Sequence, residues 1–166
     1  AEASFVARTI DSDRKHLTSV LRAAAEHEGS AFVEIFQNCP IYNDGAFDRL
    51  TDPDSRDTAV LRMEVGEKLA FGDKGIRRGA DGELEVCAAD DPGVISHDPT
   101  RSDPSLAFAL SRLTEPTPIG VFRDVDRPSY DELSHAQIEA ARAKEGVGDA
   151  EALQKLLTGR DTWNVG

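Results

Sequence analysis

The stretch FVARTIDSDRKHLTSVLRAAAEHEGSAFVEIFQNCP, residues 5 to 40, decides the fold. SFVART, Ser4 to Thr9, predicts a short strand. Asp11 or Ser12 is the expected cap of a following helix. Leu17, Val20, Leu21, Ala24 and Ala25 recur at i, i+3, i+4, i+7 and i+8, the stripe of a helix that packs one face. Gly29 is the expected C′ stop. SAFVEIFQ is an apolar run broken by Glu34, which predicts a strand buried on both faces, as parallel sheets require. Strand, helix and strand within about 35 residues form a βαβ unit.

This reading places Cys39. In open α/β sheets, ligands gather beyond the carboxyl ends of the strands. Cys39 falls just past such an end, and Pro40 biases it toward an extended conformation. The thiol is therefore expected at the edge where such folds do chemistry.

Beyond Gly45 the texture changes. DGAFDRLTDPDSRD is a turn-rich connection, and AVLRMEV and KLAFG predict short strands. GIRRGADGELEVCA predicts a hairpin turning near Asp81 and Gly82, with Leu84 and Val86 on one face and Cys87 on the other. Asp103 is the expected cap of a short helix with Pro104 in its first turn and Leu106, Leu110 and Leu113 buried. TPIGVFR predicts another strand. Ser129 and Glu132 form a capping box for a helix through about Glu145. Asp149 opens a last helix that ends at Gly159, with Leu153, Leu156 and Leu157 as its apolar side.

Composition sets outer bounds. In 166 residues, 39% are hydrophobic, enough for a core. Acids outnumber bases 31 to 19, for a formal charge of -12. That field opposes nucleic acid and anionic membrane, which call for basic patches. No run approaches the ~18 apolar residues of a membrane span. The start, AEASFVART, has neither an initiator methionine nor the basic head and apolar run of a secretory leader. Two cysteines make no disulfide framework, so the cytoplasm is the expected setting.

The bland reading of Cys39 is a buried structural thiol. A nucleophile would need a base beside it, and no spacing singles out His16, His27, His97 or His135. His16 and His27 are expected on a solvated helix face. Zinc would need further Cys or His in pairs. An iron–sulfur cluster takes about four thiolates, so Cys39 is at most one ligand of a cluster completed from elsewhere. Cys87 is expected to be structural, and the His97-Asp98-Pro99 sequence to be a turn.

EIFQNCPIYND, residues 34 to 44, resembles the corresponding segment of the β subunit of 2-oxoacid:ferredoxin oxidoreductases, the 2-oxoglutarate type in particular. FVARTIDSDRKHLTSVLRAAAEHEGSAFVEIFQNCPIYNDGAF resembles the family's strand, helix, strand and cysteine loop. DPSLAFALSRL with PIGVFRDVDRPSYDE resembles its C-terminal region. Nearly the whole chain is covered.

The resemblance implies a subunit that carries thiamine diphosphate with Mg2+ and a 4Fe–4S cluster. It implies cleavage of a 2-oxoacid with coenzyme A to acyl-CoA and CO2, with electrons passing through the cluster to ferredoxin. It also implies an α subunit as partner. Cys39 matches the family's later Cys-Pro cluster ligand. Tyr42 and Asn43 are the implied liners of the cofactor region, although an Asn at a strand end is also a turn former. No residue of this stretch is assigned as catalytic.

The family's Gly-Asp-Gly-Asp run and its other three cluster cysteines are missing from this sequence. The chain is therefore expected to be the carboxyl-terminal half of the subunit, inactive alone, with most cofactor ligands elsewhere. Residues 1–44 would end a thiamine diphosphate-binding parallel-sheet α/β domain, and residues 45–166 would form a smaller, irregular α+β extension. The alternative is a non-catalytic α/β interaction module in which Cys39 is structural. A cysteine hydrolase is a third, more remote, option.

Overall fold

The computed structural model describes residues 3–146, 148–159 and 163. Strand β1 (Phe5–Ile10), helix α1 (Arg14–Glu26) and strand β2 (Ala31–Phe36) make the expected unit, with β1 and β2 parallel and Arg8 opposite Glu34. The helix cap is Asp13 rather than Asp11 or Ser12: its carboxylate accepts the His16 N–H at 3.1 Å. The helix ends at Glu26 with His27 as C-cap, so Gly29 lies beyond the C′ position. Val20 is the buried contact of α1, and it packs with Ala23 and Ala24 against Phe5 and Ala7. Leu21 and Ala25 of the expected stripe are exposed.

Two short helices follow, α2 (Asp48–Thr51) and α3 (Arg56–Ala59), then β3 (Val60–Met63). The segments β4 (Ala70–Phe71), β5 (Lys74–Arg78) and β6 (Leu84–Ala88) form a three-stranded antiparallel sheet. Helix α4 (Ser105–Ser111) begins after Pro104, which takes the cap position. Asp103 instead accepts both Ser105 donors, N–H at 3.1 Å and Oγ–H at 2.6 Å. Leu106 and Leu110 are buried, and Leu113 packs against the same cluster.

Strand β7 (Thr117–Asp124) completes the main sheet in the order β2-β1-β7-β3. It runs antiparallel to β1 and parallel to β3, so the sheet is mixed. The ladder between β1 and β7 shifts register at Val6 and Ala7. Gly120 sits beside that shift with φ of +124°, and a Cβ there would lie 2.6 Å from the Met63 carbonyl oxygen. Only glycine meets both demands.

The expectation that β2 is buried on both faces is not met. β2 is an edge strand, with no second neighbour among the described residues. Phe32 is 60% and Ile35 42% exposed. They lie three apart, so each face of the strand carries an uncovered apolar side chain. The apolar run was read correctly as a strand; its burial depends on neighbours that the described residues do not supply.

Residues 1–127 form one compact unit and residues 128–166 a second. The second holds α5 (Tyr130–Glu145), with the Ser129–Glu132 capping box in place, and α6 (Ala150–Thr158), capped by Asp149. Leu153, Leu156 and Leu157 are all exposed on α6.

Candidate cysteine-loop site

The loop after β2 is anchored before it turns. The Asp11 N–H donates to the Phe36 carbonyl at 3.0 Å, extending the contact between β1 and β2. The Phe36 ring stacks on Phe47, with centroids 4.8 Å apart, and the Arg8 guanidinium lies 5.2 Å from the Phe36 centroid. Both ends of the loop thus rest on one apolar floor, which continues into Ile10, Leu50, Val60 and Ile119.

Within the loop, the Asn43 N–H donates to the Cys39 carbonyl at 2.9 Å, closing a tight turn. Asn38 ties its neck: Nδ2 donates to Asp44 Oδ1 at 2.9 Å, and Oδ1 accepts the Gly45 N–H at 3.0 Å. The sequence reading did not single out Asn38. An Asn before Cys-Pro is the kind of short amide that bonds its own loop.

The N–H groups of Tyr42 and Ile41, opposed by slight desolvation and joined by that of Asn43, hold the Cys39 thiol below its ordinary pKa. Hydrogen bonds to a thiolate favour the charged form, which is the metal-binding and nucleophilic form. Cys39 is half-buried, while Ile41 and Tyr42 beside it are 82% and 89% exposed. Asn43 is exposed as well. Tyr42 and Asn43 therefore share the loop with Cys39.

Among the described residues no side-chain base hydrogen-bonds to Cys39, and no group of three His, Cys, Asp or Glu side chains could hold a metal ion. Cys39 is the one thiol of this loop.

The other candidates have structural partners. The Cys87 thiol meets the Gly75 carbonyl at 3.4 Å across the hairpin. His16 and His27 are not solvated as expected. His16 Nδ1 pairs with Thr9 Oγ1 at 2.7 Å. His27 bridges Ser4 Oγ at 2.8 Å and Asp124 Oδ1 at 2.9 Å, and Ser4 in turn bonds the Ser30 carbonyl, so the three residues latch β1 to the end of β7. Their spacing in sequence carries no signal of this, because the contact spans 97 residues. The expected turn after His97 is present: Asp98 accepts from the N–H and Oγ–H of Thr100. His97 itself is buried.

Comparison with known proteins gives a consistent class. No known protein-family profile matches the chain. It is 47% identical to the 2-oxoglutarate oxidoreductase subunit KorB of Mycobacterium tuberculosis, across 99% of the chain and 46% of that protein. The β subunit of 2-oxoacid:ferredoxin oxidoreductase from Saccharolobus solfataricus is 44% identical over 41 residues, 25% of the chain and 13% of that protein. The fold also matches a solved 2-oxoglutarate:ferredoxin oxidoreductase from Magnetococcus marinus, whose structure holds 2-oxoglutarate, coenzyme A and succinyl-CoA. The TM-score is 0.54 at 23% identity, over 95% of the chain and 41% of the solved one. The chain is thus similar over nearly its whole length to part of a 2-oxoglutarate oxidoreductase subunit, and over a short stretch to a 2-oxoacid:ferredoxin oxidoreductase β subunit. It spans about half the length of the curated relative that it matches throughout.

Proposed function

We propose that the chain is the part of a 2-oxoglutarate:ferredoxin oxidoreductase β subunit that supplies one thiolate, Cys39, to a 4Fe–4S cluster. The observation that carries this reading is the place of Cys39 just past the end of β2, in a turn that the Asn43 N–H closes on the Cys39 carbonyl at 2.9 Å and in which the Tyr42 and Ile41 N–H groups lower the thiol pKa. Such donors also tune the potential of a bound cluster. The reaction is the oxidative decarboxylation of a 2-oxoacid with coenzyme A, giving acyl-CoA and CO2, with two electrons leaving to ferredoxin. When bound, thiamine diphosphate with Mg2+ supplies the carbanion sink and the cluster supplies the one-electron exit.

This chain's own residues bind and position. Pro40 stiffens the turn and the Asn38 side chain holds its neck, so the sulfur is fixed with little entropy left to lose. Tyr42 and Asn43, exposed on the same loop, would line the cofactor region. The division near residue 44 is one of role: residues 1–44 bring the sulfur to the sheet edge, and residues 45–166 wrap the subunit and meet the α partner. The enzyme would work in the cytoplasm. No helix among the described residues is long and apolar enough to cross a membrane. A charge of -12 is a poor dock for an acidic ferredoxin, so the contact with ferredoxin falls mainly on other parts of the assembly.

The alternative, an interaction module with a structural Cys39, draws on the uncovered apolar residues of β2 and α6. The two readings separate on electron transfer in the complete assembly. Cys39→Ser should abolish 2-oxoacid-driven ferredoxin reduction while the α subunit still co-purifies. Unchanged ferredoxin reduction would leave only the module.

A further inference from the structure

A small cavity lies between β7, α4 and the 97–103 loop, lined by His97, Arg123, Leu106, Ala107, Leu110 and Phe122 among others. His97 is 2% and Arg123 6% exposed, and each leaves one buried polar atom without a protein partner, His97 Nδ1 and Arg123 Nε. The remaining atoms of both side chains are engaged. His97 Nε2 lies 2.7 Å from the Val121 carbonyl. Arg123 donates from its two terminal nitrogens to the carbonyls of Arg101 and Ser102, at 3.2 to 3.3 Å.

The chemistry of the two orphaned atoms is fixed by those bonds. A carbonyl oxygen can only accept, so Nε2 carries the ring proton and Nδ1 of the neutral ring is a bare acceptor. Burial keeps the imidazole below its ordinary pKa, which favours this neutral form. Arg123 Nε is always a donor. The two residues, both of which line the cavity, therefore leave one donor and one acceptor to satisfy. An anion would satisfy the first and repel the second, and a cation the reverse. A neutral hydroxyl satisfies both. The space open to the centre of a water molecule is about 10 Å³, the lower limit for a single water and too little for an alcohol.

We propose that this cavity is a binding site for one structural water, which accepts from Arg123 Nε–H and donates to His97 Nδ1. Asp98 and Asp103 also line the cavity, and buried water typically makes roughly three bonds. The water adds to the ties between the 97–103 loop and β7 that His97 and Arg123 already make to backbone carbonyls.

Two measurements on the complete protein test this. A crystal structure fine enough to show other buried waters should show an isolated oxygen peak about 2.7–3.2 Å from both atoms. The 15N imidazole spectrum of His97 should report the Nε2–H tautomer, with Nδ1 shifted as a hydrogen-bond acceptor. An empty cavity, a flipped ring with Nδ1 on the Val121 carbonyl, or a peak of anion density held by Arg123 alone would each overturn the proposal. Arg123→Met should remove the peak and move the Nδ1 resonance toward that of an unbonded acceptor. Should that variant fail to fold, the native structure and spectrum decide the matter by themselves.

Discussion

Cys39 sits in a turn whose Tyr42 and Ile41 N–H groups, with a smaller part from Asn43, lower its thiol pKa. Its thiol pKa is lowered in the fold and not in an unfolded chain, because the turn is lost on unfolding. In the iron-free protein, alkylation of Cys39 by iodoacetamide should reach half-maximal rate at a lower pH than in the same protein unfolded in urea. Equal midpoints would mean that the loop does not favour the thiolate. Arg8 is a second residue whose surroundings define its role. It pairs with Glu34 at 2.6 Å, lies 5.2 Å from the centroids of both Phe36 and Phe122, and donates to the carbonyls of Ser111 and Pro118. Arg8→Met keeps much of the bulk but leaves Glu34 unpaired. Glu34 is partly exposed, so the cost falls below that of a fully buried pair, at about 2 kcal/mol by urea unfolding. A loss within error of zero would show that solvent replaces the guanidinium.

Among elements, β2 separates what periodicity reveals from what it hides. Its apolar run identified the strand and therefore the position of Cys39. It did not reveal that Phe32 and Ile35 stand uncovered, because burial is a property of neighbours. An exposed apolar edge is a template for association. Phe32→Lys should reduce self-association of this chain in sedimentation, and an unchanged distribution would mean the edge is inert. The βαβ unit, the hairpin and the α5 capping box were legible because each rests on residues close in sequence. The pairing of β7 with β1 and the His27–Asp124 contact were not, since they join residues 97 or more apart. At the site, Cys39 was legible from its place after a strand, whereas the Asn38 neck and the N–H groups that lower the thiol pKa follow from the folded turn.

The whole molecule couples the buried His97 and the half-buried His16 to acid stability. Desolvation lowers the pKa of both His16 and His97 below the ordinary 6.5. For His16, Arg62 acts in the same direction against Asp13 and Glu64; for His97, the Val121 bond, Asp98 and Glu64 oppose the shift. The unfolded chain then binds more protons than the folded one just below pH 6.5. Stability is fully present above that pH and falls as the pH drops through it toward the folded pKa values, by up to about 1.4 kcal/mol per pH unit for each histidine. Urea midpoints should be flat from pH 7.5 to 7 and decline from 6.5 to 5. A flat profile down to pH 5 would contradict the burial of these rings in solution.

At this same scale stands the central claim, that a loop in a chain spanning 46% of its curated relative supplies one ligand to a cluster completed elsewhere. Iron and acid-labile sulfide counted in the purified complete assembly, with native Cys39 and with Cys39→Ala, address it most directly. The account predicts that the substitution removes most of the iron of one 4Fe–4S cluster per β subunit while the polypeptides remain assembled. Full iron occupancy in the variant would contradict it.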